Sequence, residues 1–570
     1  MLRLSDPSRR LTVGMAAVLA VLVVLGGRLI QLQALDGTAY AAAAEQARLV
    51  RAVLPAERGA ILARDGTPLA YSVQARAIFA DPALVEQPAR TALALAPFLD
   101  LSTDELIDAL TEDNRFVYLA RALEPSVAAQ IMDLGLPGIG EQPELKRIYP
   151  AGEIGAQVVG FTGREGEGLA GIENQFEDLL RGTPGQISYE RGTSGYAIPA
   201  GHRAELPAVP GSDVRLTLDH DLQYRLQDSI DAAMDGGVST LQAVVLDART
   251  GQVLAMGASP GYDSAAPGSA DPDLLGNPTV SSVLEPGSVN KVVTMAAALD
   301  QGLFTTDSVL TVPDSIPIAD IVVRDAWGHA PIDYTTTGIL AKSSNVGTLM
   351  IAEQLGNETL EHYLRGFGLG SRTGIELPGE SPGILVPHEE WSGSQAGNIP
   401  IGQGISMTAL QMASMYQAIA NDGVRVPPSI VAETVAADGT VTPWAPTTPN
   451  RVISESAAAD LQYMLEAVVG EGGTASMAVV DGYRVAGKTG TAQRPNPACR
   501  CYSGGGYWAT FAGFAPADDP RYVISVTIEQ PDGGRRVAGP IFQQIMSYAL
   551  QQNGVAPSGS PRPDFRLVDD

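Results

Sequence analysis

The chain opens on an unbroken apolar run, Leu11–Gly27 (LTVGMAAVLAVLVVLGG), which carries no charge. Arg28 can snorkel, so Leu29 and Ile30 extend the run to the length a membrane-crossing helix needs. Leu29–Arg51 then reads as a helix ending in an alanine-rich stretch and stopped by Pro55. Val53–Ala70 predicts two strands around a turn at Arg64-Asp65-Gly66, and residues 84–135 carry helical spacing with Gly135 as a stop. Residues 144–185 are mixed, with glycine turns, and 186–212 read as a linker or an extended hairpin. The next domain starts near Ser212. A helix over Asp219–Met234 precedes a hairpin, Ala243–Ala258, turning at Arg249-Thr250-Gly251. Residues 280–470 read as helices and loops. Strands follow at Tyr483–Ala492, Trp508–Phe514 and Tyr522–Glu529, and Pro540 opens a last helix, Ile541–Gln551. This order predicts an α+β domain, one antiparallel sheet with helices packed on it. The expected boundaries are a tail at 1–10, the anchor at 11–30, a first extramembrane domain at 31–211, the α+β domain at 212–553, and a disordered tail at 554–570.

Composition changes this picture in three ways. Acidic residues outnumber basic ones 64 to 37, for a net charge of −27, which excludes a nucleic-acid binder. Two cysteines exclude a disulfide scaffold, and the five histidines show no metal-ligand spacing. Arg3, Arg9 and Arg10 precede the apolar run, placing the N-terminus in the cytoplasm and the bulk of the chain outside. A cleaved signal peptide is the rival, but the AxA-like Ala39-Tyr40-Ala41 lies too far past the run, which favours an uncleaved anchor. In that oxidising setting, Cys499 and Cys501 read as a tight bridge or as two free thiols, ahead of a metal site.

The third change concerns lysine. Of 37 basic residues only four are lysines: Lys146, Lys291, Lys342 and Lys488. Unlike arginine, an ammonium can be deprotonated when its surroundings depress its pKa. Three of the four fall in or beside short motifs. Ser288-Val289-Asn290-Lys291 begins an apolar helix after Pro286-Gly287, with Gly302 as its cap. Ser288 and Lys291 share a face, so a neutral lysine there can take the serine proton. The bland alternative is an N-cap serine beside a surface lysine. Ser343-Ser344-Asn345 follows Lys342 and precedes the helix Val346–Leu355; it offers a proton relay and a peptide-binding amide, or mere helix capping. Lys488-Thr489-Gly490-Thr491 lies in a strand that can pair with an extended peptide if it is an edge, its Lys and Thr holding a carboxylate and Gly490 allowing close approach. Gly482–Thr489 also matches a phosphate-binding P-loop. That reading fails because Gly490, Pro495 and Pro497 make a poor helix start.

Together, SxxK, SxN and KTG in this order resemble the serine acyl-enzymes of the penicillin-binding and β-lactamase superfamily. The whole chain resembles a class B penicillin-binding protein, a peptidoglycan D,D-transpeptidase. Residues 57–70 and 147–185 look like that class's pedestal or dimerisation domain, although Ala-Arg-Asp replaces the usual Asp-Arg-Asn/Asp at 63–65. The hairpin at 243–258, EPGS at 285–288, GQGISMTALQMA at 402–413 and KTGTAQ at 488–493 look like its transpeptidase domain. The resemblance implies that Ser288 is the nucleophile and Lys291 its base. It also implies that Ser343 relays the proton, that Asn345 binds the peptide amide, and that Lys488, Thr489, Gly490 and Thr491 bind substrate. The backbone N–H groups of Ser288 and Thr491 would form the oxyanion hole. No cofactor and no metal are implied. Expected ligands are peptidoglycan stem peptides and β-lactams. The Asn of SSNVG points to the division (FtsI-type) branch and so to a SEDS glycosyltransferase of the FtsW type and other divisome proteins as partners. The arginine-dominated composition and the CxC insert are reminiscent of actinobacterial members. The alternatives are an elongation-type enzyme, a β-lactam sensor, a β-lactamase, a D,D-carboxypeptidase and a catalytically lapsed scaffold.

Overall fold

A computed structural model of the chain describes residues 7–35, 48–190, 192, 198, 201–319, 321–444, 448–494, 496, 498–499, 501–530 and 537–569. The apolar run forms helix α1, Pro7–Ile30, prolonged by a π-helical turn at Gln31–Leu35. Among the described residues it is the one helix long and apolar enough to cross a membrane. The helix expected over Leu29–Arg51 does not continue to its end. Residues 36–47 lie outside the described residues, and Leu49–Leu54 is a strand. Its backbone pairs antiparallel with Gly185–Glu190, register Leu49↔Glu190 to Leu54↔Gly185, so the last residues of the expected helix, Leu49–Arg51, are strand, while the alanine-rich stretch before them lies outside the described residues. Gly185–Glu190 pairs in turn with Arg203–Leu206, so the extended-hairpin reading of 186–212 holds.

Two compact units divide the chain, and the first contains residues 1–57, 76–144 and 182–210. Helices at Pro88–Leu95, Thr103–Leu110 and Pro125–Asp133 realise the helical spacing of 84–135, and Gly135 with φ +62° ends the last. Ser102 caps its helix reciprocally with Glu105, the signature of a capping box. Leu95, Leu106, Leu110 and Ile131 bury this unit's core against Ile78. A strand at Val117–Leu123, embedded between helical segments, was not predicted.

The second unit contains residues 58–75, 145–181 and 211–570. Two segments that lie far apart in sequence are joined there by a buried charge network. Arg58 reaches Glu173 and Glu177, each at 2.6 Å, and Arg147 reaches the other oxygen of Glu173 at 2.8 Å.

The core of this unit is a five-stranded sheet of β1 (Thr240–Asp247), β2 (Val253–Ser259), β3 (Ala486–Gln493), β4 (Tyr507–Ala515) and β5 (Tyr522–Gln530). Its order is β2-β1-β5-β4-β3, antiparallel throughout. Its strands are almost wholly buried, so helices cover both faces. One face carries α2 (His220–Asp235) and the C-terminal helix, with Phe542 edge-on to Phe511 at 4.5 Å. The other carries α3 (Lys291–Asp300), α4 (Thr336–Lys342), α5 (Asn345–Leu355), α6 (Ala409–Ala420) and α7 (Glu455–Val469), grouped around it. The C-terminal helix is α8, Ala538–Gln552.

Two expectations for this unit need correction. Residues 280–470 also hold small hairpins, among them Val309–Val312 with Ile332–Thr335 and Ser315–Ile318 with Ile321–Arg324. The tail is not disordered over 554–569. Val555 accepts from Tyr483 Oη at 2.6 Å, and Ser558 donates to Gly482 at 3.0 Å. Thr335 donates to Leu567 and Arg566, Asp569 donates to Asp333, and the Phe565 ring lies tilted against Tyr463 at 5.0 Å. Polar and proline-rich, the tail has no regular structure of its own, and its backbone is satisfied by the elements it crosses.

Candidate active site

The first wall of the site is helical. Pro286 and Gly287, the latter at φ +61°, turn the chain into a 3₁₀ helix, Gly287–Asn290, which runs into α3. The Lys291 N–H donates to the Ser288 carbonyl, and 3₁₀ spacing brings residues three apart into line. Ser288 therefore sits directly above Lys291. Every residue of α3 from Lys291 to Leu299 is buried, which fixes the helix in the core. Tyr416 Oη, itself fully buried, holds the turn through the Val289 carbonyl at 3.0 Å.

Ser343 joins α4 to α5 in a left-handed conformation, φ +59° and ψ +37°, rare for a residue with a Cβ. Such strain persists where the surroundings over-determine it. Here Lys291 Nζ donates to the Ser343 carbonyl at 2.7 Å and to Asn345 Oδ1 at 2.7 Å, and lies 3.4 Å from Ser343 Oγ. Ser344 caps α5, accepting from the Gly347 N–H at 2.9 Å.

The second wall is β3. Lys488, fully buried, donates to Ser343 Oγ and to the Thr489 carbonyl, both at 2.9 Å. Ser343 Oγ thus lies between two lysines from opposite walls. Lys488 sits in mid-strand and no helix starts there, so the P-loop reading is excluded. Among the described strands β3 is an edge. Gly490 has a packing reason beyond close substrate approach. A Cβ there would stand 2.1 Å from Thr510 Oγ1 and 2.9 Å from the Pro286 carbonyl, so glycine lets β3 lie against the turn that carries Ser288.

The walls enclose a cavity of about 390 Å³. Ser288, Ser343, Asn345, Thr489, Gly490 and Thr491 all line it. The eight residues singled out from sequence come together, with Lys291 and Lys488 anchoring it from behind. Burial pushes the Lys291 ammonium down to about 7, opposed by the charge of Asp325. Ser343 and Asn345 meet it with neutral oxygens, and it lies at the positive end of α3, so giving up a proton costs little.

Sequence reasoning missed several residues. Thr474, from the turn after α7, lies 3.2 Å from Thr489 Oγ1 and lines the cavity, as do Trp327 and Gln403. Asp325 is buried behind Ser344 and accepts from three donors, the Ser344 hydroxyl and the N–H groups of Asn345 and Val346. Only its place before a Trp-Gly turn marks it in sequence. Cys499 and Cys501 are disulfide-bonded, which decides between the two readings left open. The next residue, Tyr502, donates to Glu285 at 2.9 Å, tying the bridged loop to the turn before Ser288.

Comparison with known proteins places the chain in a family. The penicillin-binding protein transpeptidase domain matches residues 241–547, and the penicillin-binding protein dimerisation domain matches residues 53–216. The chain is 44% identical to penicillin-binding protein PbpB of Mycolicibacterium smegmatis, over 97% of this chain and 92% of that protein. It is 32% identical to the peptidoglycan D,D-transpeptidase FtsI of Escherichia coli, over 95% of this chain and 91% of that protein. Among solved structures, penicillin-binding protein 3 of Mycobacterium tuberculosis in complex with ampicillin superposes with a TM-score of 0.74 at 40% identity, covering 91% of this chain and all of that one. The chain belongs to the class B penicillin-binding proteins, which join a dimerisation domain to a transpeptidase domain.

Proposed function

We propose that the protein is a membrane-anchored peptidoglycan D,D-transpeptidase that works through a serine acyl-enzyme, in septal wall synthesis during division. The observation that carries this reading is the buried amine of Lys291. It lies one 3₁₀ turn from Ser288 and is linked, through Ser343, to Lys488 on the opposite wall.

Ser288 Oγ attacks the carbonyl between the two terminal D-Ala residues of a stem peptide while neutral Lys291 takes its proton. Negative charge develops on the carbonyl oxygen, where the N–H groups of Ser288 and Thr491 stabilise it. The C–N bond breaks, and the departing amine of D-Ala takes its proton through Ser343, which Lys291 resupplies. Lys488 and Thr489 hold the terminal carboxylate, Asn345 the peptide amide, and Gly490 keeps β3 close to the nucleophile. An amine from a neighbouring strand then attacks the Ser288 ester and restores the free hydroxyl. A β-lactam presents a strained amide to the same serine and gives a stable ester.

α1 is the membrane anchor, with Arg3, Arg9 and Arg10 at its start on the cytoplasmic side and the chain that follows it outside. FtsI of Escherichia coli among the relatives, and Asn in the SSNVG motif, favour the division branch, with an FtsW-type glycosyltransferase and other divisome proteins as partners.

The test is acylation of the full chain by a fluorescent penicillin, followed by intact mass. A stable one-to-one adduct on the native protein, absent from Ser288→Ala, is the expected outcome. No adduct on folded native protein, or an adduct that persists on Ser288→Ala, refutes the assignment. A fluorescent fusion concentrated at the division site supports the septal role, and one spread along the side wall supports the elongation alternative.

A further inference from the structure

The turn after the strand Ile321–Arg324 places Asp325 at the N-terminus of α5, where unpaired N–H groups and the positive helix end favour an anion. Its carboxylate accepts from Ser344 Oγ at 2.8 and 3.0 Å, from the Asn345 N–H at 2.6 Å and from the Val346 N–H at 3.1 Å. Asn345 in turn receives the Lys291 amine on Oδ1, so one residue separates Asp325 from the base. His329 closes the other side, with Nε2 3.1 Å from Asp325 Oδ2 and Nδ1 2.8 Å from the Ala330 carbonyl oxygen.

A carbonyl oxygen only accepts, and an ionised carboxylate only accepts. Both ring nitrogens of His329 must therefore donate, which makes the ring an imidazolium. Its side chain is 6% exposed, and that of Asp325 is fully buried. Ala326 and Trp327, between the two, line the reaction cavity, and the Trp327 ring lies 5.7 Å from the imidazole.

We propose that Asp325 and His329 are an oppositely charged positioning pair that holds Ser344 and Asn345 in place and sets, from behind the site, the charge that Lys291 carries. The proposal rests on the assignment of Ser288, Lys291, Ser343 and Asn345 above. Asp325 favours the ammonium of Lys291, and a protonated His329 offsets that pull. The other groups facing the pair are Tyr334, whose ring lies 6.4 Å from His329, and Asp314, from the turn before Ser315. Burial works against a charged His329. The Ala330 and Asp325 hydrogen bonds, with the charges of Asp325 and Asp314, outweigh it and hold the ring above its ordinary range.

The experiment is the pH profile of acylation by a fluorescent penicillin on the full chain, for native protein, Asp325→Asn and His329→Gln. Asp325→Asn removes the negative charge, so the acid limb moves to lower pH, by about half a unit or more. His329→Gln leaves Asp325 unmatched, so the limb moves up by a similar amount. A role confined to structure lowers the rate but moves neither limb. Limbs that stay within roughly 0.2 unit of the native one, or that shift in the same direction, overturn the proposal. Native chain labelled with ¹⁵N-histidine provides a measurement that does not depend on how well either variant folds. At pH 7 the ring resonance that stands apart by resisting solvent exchange is doubly protonated if the pair exists, and a buried ring found neutral overturns it. Ser288→Ala is run alongside. An adduct that survives on it refutes the underlying assignment and this proposal together, whereas loss of the adduct leaves the limbs to judge the pair alone.

Discussion

The helical wall and the strand wall of the cavity each bury a lysine, and they do so by different means. Lys291 rises from a helix whose residues are buried on every side, beneath its serine, and donates to neutral oxygens of the other helical motif. Lys488 is held in the middle of an edge strand, paired across the ladder with Ala512, and reaches the same Ser343 hydroxyl from the other direction. The helical wall has the features of a base, because burial and the positive end of α3 both disfavour the ammonium. The strand wall presents an amine on what is, among the described strands, the sheet edge, suited to a ligand's carboxylate and main chain. One residue type thus does two jobs, and the supporting element decides which.

The sharpest way to break this comparison is to remove the possibility of deprotonation on each wall in turn. Arginine stays charged, so Lys291→Arg should lose acylation by about a thousandfold or more, while Lys488→Arg should retain it to within about a hundredfold. Equal losses in second-order acylation rates would dissolve the distinction. The next largest effect is in pH. The ordinary lysine amine is charged well above neutrality, and that of Lys291 is brought down to about 7, so the competent neutral form accumulates as pH rises through that value. Acylation by a penicillin should fall about tenfold for each unit below it. A flat profile between pH 5 and 8 would remove Lys291 as the base.

A smaller effect is expected where the two walls touch. Gly490→Ala forces a methyl against Thr510 and the Pro286 carbonyl, and should cost about 1–3 kcal/mol of stability together with about tenfold in acylation. Thermal melting and acylation rates check both. Smallest of all is truncation after Gly554, which strips Thr335 of its Leu567 and Arg566 acceptors at the start of α4. A drop of a few degrees in melting temperature, with acylation within about threefold of native, is expected. A larger loss would mean that the tail positions Ser343.

The site was legible because its residues are local. SxxK, SSN and KTG each act within one turn or one strand, and each carries its own helix start or strand pattern. The sheet was legible for a similar reason, since its strands are strongly apolar and of ordinary length. What escaped was what folding assembles from a distance. Asp325 serves α5 from 19 residues before Ser344, at the end of a hairpin whose strands are four residues each. Leu49–Leu54 is a strand only because Gly185–Glu190 comes to pair with it. The tail composition suggested disorder, yet its hydrogen-bond partners, Gly482, Tyr483, Asp333 and Thr335, lie far upstream. Gly490 was marked for close substrate approach, and its packing against Pro286 is a contact that no single motif encodes.

That β3 is the edge among the described strands has a further consequence. Soluble sheets usually blunt such an edge, because it recruits any backbone that can lie flat along it. Here the edge ends at the mouth of the cavity, so the site sorts ligands by shape before any chemistry begins. A helix or a folded loop has already spent its N–H and C=O groups on itself and cannot dock. A short chain that keeps its backbone extended can. Such an edge acts as a sieve that admits flexible peptides and turns globular surfaces away, with no need to read a single side chain.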